Sequence, residues 1–297
     1  MKKIDIHCHT TNRRIKDTIS GDASLEFILN DMGKYEIVNT NVLATYFPHK
    51  NSGISNYRML NWINRYNKKE DQLNAQTKFT MFGSLDFEHY FYQGLNELEE
   101  LASERLIKGI KIYTCYQEVD FESKRFEKIL TLAREQDLPL MFHIGYSYSS
   151  MRKYGKVSIA KTVKPNDLEK TIKKNQDITF ILSHLAKPFL SELIEVVNDN
   201  INVYSDMSGL LDSYFEQKEI PNSIEQIKRF VGRCGPSKLL FGTDFPVQTH
   251  YDSIFMIEEA MKNYSQKELK NVYYDNAQKI LEGEKWAKQI KKNQTKI

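Results

Sequence analysis

The feature that most constrains the fold is a regular alternation of short β-rich runs with stretches that have one apolar helical face. Eight β-rich runs can be counted, and several are continuously apolar, as in strands buried on both faces of a parallel sheet. The predicted strands are Lys3–His7, Ile37–Thr45, Phe79–Leu85, Ile107–Tyr113, Pro139–His143, Ile178–Ser183, Asn202–Ser205 and Leu239–Thr243.

The stretches between these runs have the periodicity of amphipathic helices. Apolar residues share one helical face in residues 126–133 and again in residues 190–197. Strand–helix units of roughly 30–35 residues match a (β/α)8 barrel of about 250 residues. The competing architecture is a doubly wound open sheet, but Ile6-His7-Cys8-His9 stands where that fold would have a Gly-rich phosphate loop. We therefore predict an α/β chain folded as a (β/α)8 TIM barrel.

Chain length and composition limit the remaining choices. The 297 residues suit one large barrel or two ordinary domains, and no linker rich in Pro, Gly or Ser is found, so we predict one domain over residues 1–297. Charged residues make up 27% of the chain and leave a net charge of +3, which argues against nucleic-acid binding. No apolar run reaches about 18 residues, so no membrane span is predicted.

The cysteines bear on the cellular compartment. Cys8, Cys115 and Cys234 stand at unrelated spacings, so we predict reduced thiols in a cytoplasmic protein rather than a disulfide framework. The expected partner is a small molecule, and the sequence leaves open whether copies of the chain form a homo-oligomer.

Four of the seven histidines lie at or just past the end of a predicted strand. His7 and His9 close the first strand, His143 closes the fifth and His184 closes the sixth, while Asp244 closes the eighth. In a barrel these strand ends converge on one mouth, so residues far apart in sequence meet there. The other three histidines are interpreted as ordinary surface or mouth residues in loops or near helices: His49, His89 and His250.

The spacing His7-x-His9 has a physical reason. Side chains alternate along a strand, so both imidazoles can point into the barrel while Cys8 points away. The same alternation puts Asp5 on the inward face, where it could fix a histidine by a hydrogen bond. A single strand-end histidine is usually structural, and Asp244 alone could cap a helix. The joint pattern instead predicts a metal site, whose nitrogen and carboxylate ligands suit zinc best and also manganese, iron or nickel.

Several motifs carry a resemblance to a known family. They are Ile4–His9, Gly109–Tyr113, Met141–His143, Ile181–His184, Asn202–Gly209, Phe241–Pro246 and Asn276–Leu281. In these segments the chain resembles the amidohydrolase superfamily of metal-dependent TIM-barrel enzymes. The likeness is greatest to the amidohydrolase-related branch, which includes decarboxylases and lactonases as well as hydrolases. It extends over nearly the whole chain but does not specify the substrate.

The resemblance implies roles for the strand-end residues. His7, His9 and Asp244 would be metal ligands, and His143 would be a third imidazole ligand. His184 would either bind a second ion or stand beside a single ion and orient substrate or water.

Lys111 decides between one ion and two. By the resemblance, a lysine ending the fourth strand is carboxylated in two-metal members and bridges the ions. The alternative role for Lys111 is a positive group that faces an anionic substrate. Relatives of the nuclease type place a glutamate at this strand end, and its absence here argues against phosphodiester cleavage.

The predicted function is hydrolysis of an amide, ester or lactone of a small, carboxylate-bearing molecule. Asp244 is the expected general base, and His184 is expected to hydrogen-bond the developing oxyanion. Residues 145–164 carry basic side chains and no acidic one, which could attract an anion. The alternatives are a metal-dependent decarboxylase that uses the same site and a barrel that binds a ligand without catalysis.

Overall fold

The computed structural model describes residues 1–11, 23–46, 53–72, 78–145, 162–211 and 219–283. Its strands coincide with the eight predicted runs, most of them with shorter ends. They are β1 Lys3–Cys8, β2 Ile37–Leu43, β3 Lys78–Phe82, β4 Ile110–Ile112, β5 Leu140–Phe142, β6 Phe180–Leu182, β7 Val203–Asp206 and β8 Leu239–Leu240.

All strand pairs are parallel and the ladder closes into a ring. Strands β1-β2-β3 form one ladder and β4-β5-β6-β7-β8 another. The bridge Gly83–Ile110 joins β3 to β4, and the bridge Cys8–Phe245 joins β1 to the segment after β8. The (β/α)8 barrel predicted from the sequence is therefore confirmed.

The helices surround the strands in chain order. They are α1 Leu25–Tyr35, α2 Asn56–Gln72, α3 Phe91–Ser103, α4 Lys124–Gln136, α5 Pro165–Lys174, α6 Leu190–Asp199, α7 Ile220–Cys234, α8 His250–Ala260, α9 Gln266–Lys270 and α10 Asn276–Glu282. Several of them are preceded by a capping serine: Ser24, Ser123 and Ser265, for example, accept backbone N–H groups from the first turns of α1, α4 and α9. No helix in the described part of the chain combines the length and apolar character needed to cross a bilayer.

The core has two layers. The barrel interior holds one apolar cluster, to which Ile4, Ile6, Met141 and Ile181 belong and which α10 closes at one end. A larger cluster lies between the strands and the surrounding helices and includes Cys8. Burial on both faces explains why the strands read as continuous apolar runs.

A register shift in β1 sets the direction of its side chains. Asp5 pairs with Thr40 and Cys8 pairs with Val42, so three steps along β1 match two along β2. The extra residue breaks the strict alternation of side chains, as a β-bulge does. Ile6 belongs to the interior cluster, and the next residue, His7, still directs its ring into the mouth.

Candidate metal centre

The carboxyl ends of the strands bring the five predicted strand-end residues to one mouth. The imidazole rings follow one another in the order His9, His7, His184 and His143, with centroids 5.5, 4.9 and 4.4 Å apart. His184 and Asp244 both have left-handed backbones, with φ of 64° and 57°. Non-glycine residues stay in that region only where their surroundings hold them, which is common at functional sites.

The orientation of the His7 ring is set by Asp206 at the end of β7. His7 Nδ1 lies 3.0 Å from Asp206 Oδ2, and both side chains are buried. Burial, together with the Lys111 charge, lowers the pKa of His7 to about 3, so the ring is neutral at pH 7. Burial by itself would raise the pKa of Asp206, but the charge and hydrogen bond of His7 hold it well below its usual range. The proton of His7 is therefore on Nδ1, which donates to Asp206, and the lone pair is on Nε2.

Asp244 faces the outer nitrogens of both histidines of the first strand. Its Oδ1 lies 3.1 Å from His9 Nε2 and 3.5 Å from His7 Nε2. Burial would raise the pKa of Asp244, but the hydrogen bond from His9 and the nearby imidazoles keep it well below its usual range. The side chains of His9 and Asp244 are 23% and 14% exposed, so this group can be reached from the mouth.

This arrangement fits a divalent cation. The Nε2 lone pair of neutral His7 and the ionised carboxylate of Asp244 face each other, and two electron-pair donors attract only when a cation lies with them. The donor atoms of His7, His9 and Asp244 all lie within 4.8 Å of one another. Two imidazole nitrogens and one carboxylate oxygen are the ligand types that zinc prefers.

His184 and His143 form a hydrogen-bonded pair whose tautomers can be assigned. Burial lowers the pKa of His184. Its Nδ1 lies 3.0 Å from the Ser208 carbonyl oxygen, which only accepts, so Nδ1 carries the proton. His184 Nε2 then accepts from His143 Nδ1 at 3.1 Å. In a neutral His143 the lone pair is consequently on Nε2, whereas both ring nitrogens of His184 are engaged.

Lys111 lies deeper than the imidazoles, in the middle of β4 rather than at its end. Its side chain is fully buried and Nζ donates to Ser183 Oγ at 3.1 Å. Burial lowers the pKa of Lys111 to about 8, although Asp206 and Asp244 act to raise it. The two roles inferred for Lys111, a carboxylated bridge between ions and a positive group facing an anionic substrate, both stay predictions.

Asp206 and Ser208 also belong to the site, although neither is among the residues predicted from the sequence. Ser208 Oγ donates to Asp206 and lies 2.9 Å from His7 Nδ1 and 3.0 Å from His184 Nδ1. Asp206 also accepts from the backbone N–H groups of His184 at 3.0 Å and Ser208 at 3.1 Å. The spacing Asp206-x-Ser208 at the end of a predicted strand was the available signal, the same one that identified His7 and His9.

A comparison with family models decides the classification. The model described as amidohydrolase matches residues 73–283, which is more than half of the 297-residue chain. The chain belongs to the amidohydrolase family. The resemblance inferred from the motifs is therefore confirmed. A search of curated proteins gave no match.

Solved structures of amidohydrolases and decarboxylases share the fold. An amidohydrolase from Burkholderia multivorans with bound zinc is 14% identical and has a TM-score of 0.66, covering 95% of this chain and 100% of that chain. A 2,6-dihydroxybenzoate decarboxylase from Rhizobium is 12% identical, has a TM-score of 0.65 and covers 95% and 99%. A dihydroxybenzoic acid decarboxylase from Polaromonas, with manganese and the inhibitor 2-nitroresorcinol, is 15% identical, has a TM-score of 0.60 and covers 95% and 97%.

In this member of the amidohydrolase family, two sequence-based expectations about polar residues near the mouth are wrong. His250 is not a surface or mouth residue: it is fully buried between Asp31 and Asp5. Asp5 does not hydrogen-bond the ring of a proposed ligand histidine: it accepts the backbone N–H of His7 instead, and burial raises its pKa to about 6. His89 is exposed as expected, and His49 lies outside the described residues.

A cavity of about 690 Å³ opens beside the mouth, along the loop that follows β4. Tyr116 lines it and packs edge-on against His143, with ring centroids 5.6 Å apart. Acidic groups on its wall include Glu88, Glu118 and Asp120. The described wall of the cavity is therefore acidic. Most of the basic segment 145–164 lies outside the described residues.

Gly209 provides a test of how closely the site is packed. Its φ is 60°, and a Cβ there would lie 2.7 Å from Asp244 Oδ2 and 3.1 Å from His184 Nδ1. We expect Gly209→Ala to lower kcat/KM by roughly 10²-fold, because a displacement of about 1 Å in a site has that effect. In the control Gly232→Ala, on α7, the new Cβ meets no atom within 4 Å. Equal kcat/KM values for the two variants would contradict the packing argument.

Proposed function

We propose that this chain is a divalent-metal-dependent hydrolase that acts on an amide, ester or lactone of a small molecule. The observation that carries the proposal is the approach of His7 Nε2 and His9 Nε2 to one oxygen of Asp244, at 3.5 and 3.1 Å. We assign His7, His9 and Asp244 as ligands, with His143 as the third imidazole. Zinc is the favoured ion, and the Burkholderia multivorans relative with bound zinc supports this choice.

A divalent ion held there would polarise a substrate carbonyl and lower the pKa of water from about 15.7 to about 7. Asp244 is ionised at neutral pH and can accept a proton at the mouth, as the general base of this chemistry requires. His184 Nε2 accepts a hydrogen bond from the Nδ1–H of His143. This bond fixes the orientation of the His143 ring and leaves the lone pair of that ring on Nε2. The second role proposed for His184, hydrogen bonding to an oxyanion, would require its Nε2 to gain a proton and release His143 Nδ1.

The substrate is proposed to carry a carboxylate. Lys111 supplies a buried amine whose pKa the charges of Asp206 and Asp244 act to raise, and the basic residues of segment 145–164 could add positive charge. The acidic groups of the cavity wall act against an anion on that side. A panel of neutral, anionic and cationic amides and lactones of similar size therefore tests this part, and preference for cationic compounds would reject it.

The alternative is a non-oxidative decarboxylase on the same scaffold. It is favoured by the two decarboxylases whose structures match 95% of this chain. Such a reaction releases carbon dioxide and consumes no water. Trapping of ¹³CO2 from a labelled aromatic acid, without incorporation of ¹⁸O from labelled water into product, would identify the decarboxylase.

Metal content tests the proposal most directly. We expect protein purified without chelator to contain about one equivalent of a transition metal, or about two if Lys111 is carboxylated. Dialysis against a chelator should remove activity, and zinc or manganese should restore it. Less than about a tenth of an equivalent, with no restoration by added metal, would favour a ligand-binding barrel instead.

We further propose a single cytoplasmic domain. Strand β1 carries His7 and closes the barrel against the segment after β8, which supports one domain for the described residues. None of the three cysteines forms a disulfide, which supports a reducing compartment. Size-exclusion chromatography with light scattering would establish whether the chain forms a homo-oligomer.

A further inference from the structure

A second polar cluster lies behind β1, on the side that faces α1 and α8. His250 begins α8 and is fully buried. Its Nδ1 lies 2.9 Å from Asp31 Oδ2 on α1, and its Nε2 lies 3.6 Å from Asp5 Oδ2 on β1. Within the described residues, His250 Nε2 has no hydrogen-bond partner. A buried polar atom without a hydrogen-bond partner lowers the stability of the fold. The position of His250 Nε2 beside the Asp5 carboxylate therefore requires a functional explanation.

Asp5 ties β1 to the segment that follows β8. Its Oδ1 accepts the backbone N–H groups of His7 and Thr243, each at 3.1 Å. Its Oδ2 accepts the Thr243 hydroxyl at 2.7 Å. One carboxylate therefore holds the backbone of one proposed ligand, His7, and that of the residue directly before another, Asp244.

The same bonds hold the backbone on both sides of Asp244. Thr243 Oγ1 accepts the Phe245 N–H at 3.0 Å, and the carbonyl of His7 accepts the Asp244 N–H at 2.7 Å. The ring of His250 stacks on Phe245 with centroids 4.9 Å apart. Because φ of Asp244 is 57°, a conformation that a non-glycine residue keeps only under constraint, these contacts direct its carboxylate toward His9.

We propose that Asp31, His250 and Asp5 form a positioning relay that sets the backbone at Asp244 and thereby the affinity of the mouth for a divalent metal. The inference rests on the proposed metal site. None of the three residues is assigned a contact with the metal or substrate: Asp31 orients His250, His250 places Nε2 3.6 Å from the Asp5 carboxylate, and Asp5 holds the backbones of the ligands. Residues that orient metal ligands in this way typically affect metal affinity by about 10–100-fold.

Two substitutions of His250 separate the contributions of its two ring nitrogens to metal affinity. In His250→Asn the amide can replace Nδ1 and keep the contact with Asp31, but nothing replaces Nε2. In His250→Gln the longer amide can place a nitrogen near Asp5. We expect the dissociation constant for Zn²⁺, measured on metal-free protein by competition with a chromophoric chelator, to rise about 10–100-fold in His250→Asn and less than about threefold in His250→Gln.

Thermal unfolding of the metal-free variants distinguishes an effect on the position of the metal ligands from an effect on the stability of the fold. We expect similar Tm values for His250→Asn and His250→Gln and different zinc affinities. Glu259→Gln, at a half-exposed residue of the same helix, should leave both quantities unchanged. If His250→Asn does not fold, Asp31→Ala replaces it, since Asp31 is partly exposed. The expected effect there is a several-fold weaker affinity for zinc.

Unchanged zinc affinity in His250→Asn, or in Asp31→Ala when that variant replaces it, overturns the relay while the proposed metal site stands. Equal losses of affinity in His250→Asn and His250→Gln overturn it as well, because the ring and not its nitrogen would then matter. Failure of the wild-type protein to bind zinc rejects the proposed metal site itself and the relay with it.

Discussion

Replacement of Asp244 by asparagine is expected to lower kcat by about 10²–10⁴-fold, the contribution of a general base, while the fold stays intact. One carboxylate oxygen of Asp244 also approaches both His7 Nε2 and His9 Nε2. An amide of the same shape keeps the side-chain volume but loses the negative charge and the basic oxygen. We therefore expect metal content to fall together with turnover, measured on the same purified sample.

The matched control is Asp275→Asn. Asp275 is a half-exposed residue paired with Lys270 at 2.7 Å, and the substitution changes the charge of the protein by the same amount. An exposed ion pair contributes about 0–1 kcal/mol, so stability and activity should stay near wild type. If Asp244→Asn retained more than about a tenth of wild-type kcat, the assignment of Asp244 as general base would be rejected.

Asp206→Asn is expected to have the second-largest effect, although Asp206 is not a proposed ligand. The carboxylate accepts the Nδ1 proton of His7 and leaves the Nε2 lone pair directed at Asp244. An asparagine amide can instead donate to Nδ1 and so move the proton of His7 to Nε2. When a metal-binding or catalytic histidine has the wrong tautomer, or loses the hydrogen-bond partner of its second nitrogen, activity or metal affinity falls roughly 10²–10⁴-fold. We expect a decrease of this size in kcat or in metal affinity.

Ser208→Ala is the comparison for this prediction. It removes the hydroxyl beside both His7 Nδ1 and His184 Nδ1 but leaves the Asp206 carboxylate in place. We expect a smaller loss than in Asp206→Asn, about 10–10²-fold, since the hydrogen bond from Ser208 Oγ to the ionised Asp206 contributes about 1.5–3 kcal/mol. ¹⁵N chemical shifts of the His7 ring would report its tautomer in both variants. A Nδ1-protonated His7 in Asp206→Asn would contradict the mechanism.

The strands and most of the proposed ligands could be predicted from the sequence because both depend on local patterns. Continuous apolar runs such as Phe180–Leu182 mark strands that are buried on both faces, whatever their neighbours. A parallel barrel then brings strand ends to one mouth, so His143 and Asp244 could be placed near His7 without coordinates. The spacing Asp206-x-Ser208 carried the same signal and was overlooked.

What the sequence by itself determined, then, is the barrel and the group of histidines and aspartates at its mouth. The direction of Asp5 depended on the tertiary structure, because the register shift in β1 arises from pairing with β2 and cannot be seen in β1 alone. The burial of His250 depended on α1, which supplies Asp31 from 219 residues away in the chain. Tautomers, too, follow from partners: His7 carries its proton on Nδ1 because the fold places Asp206 there.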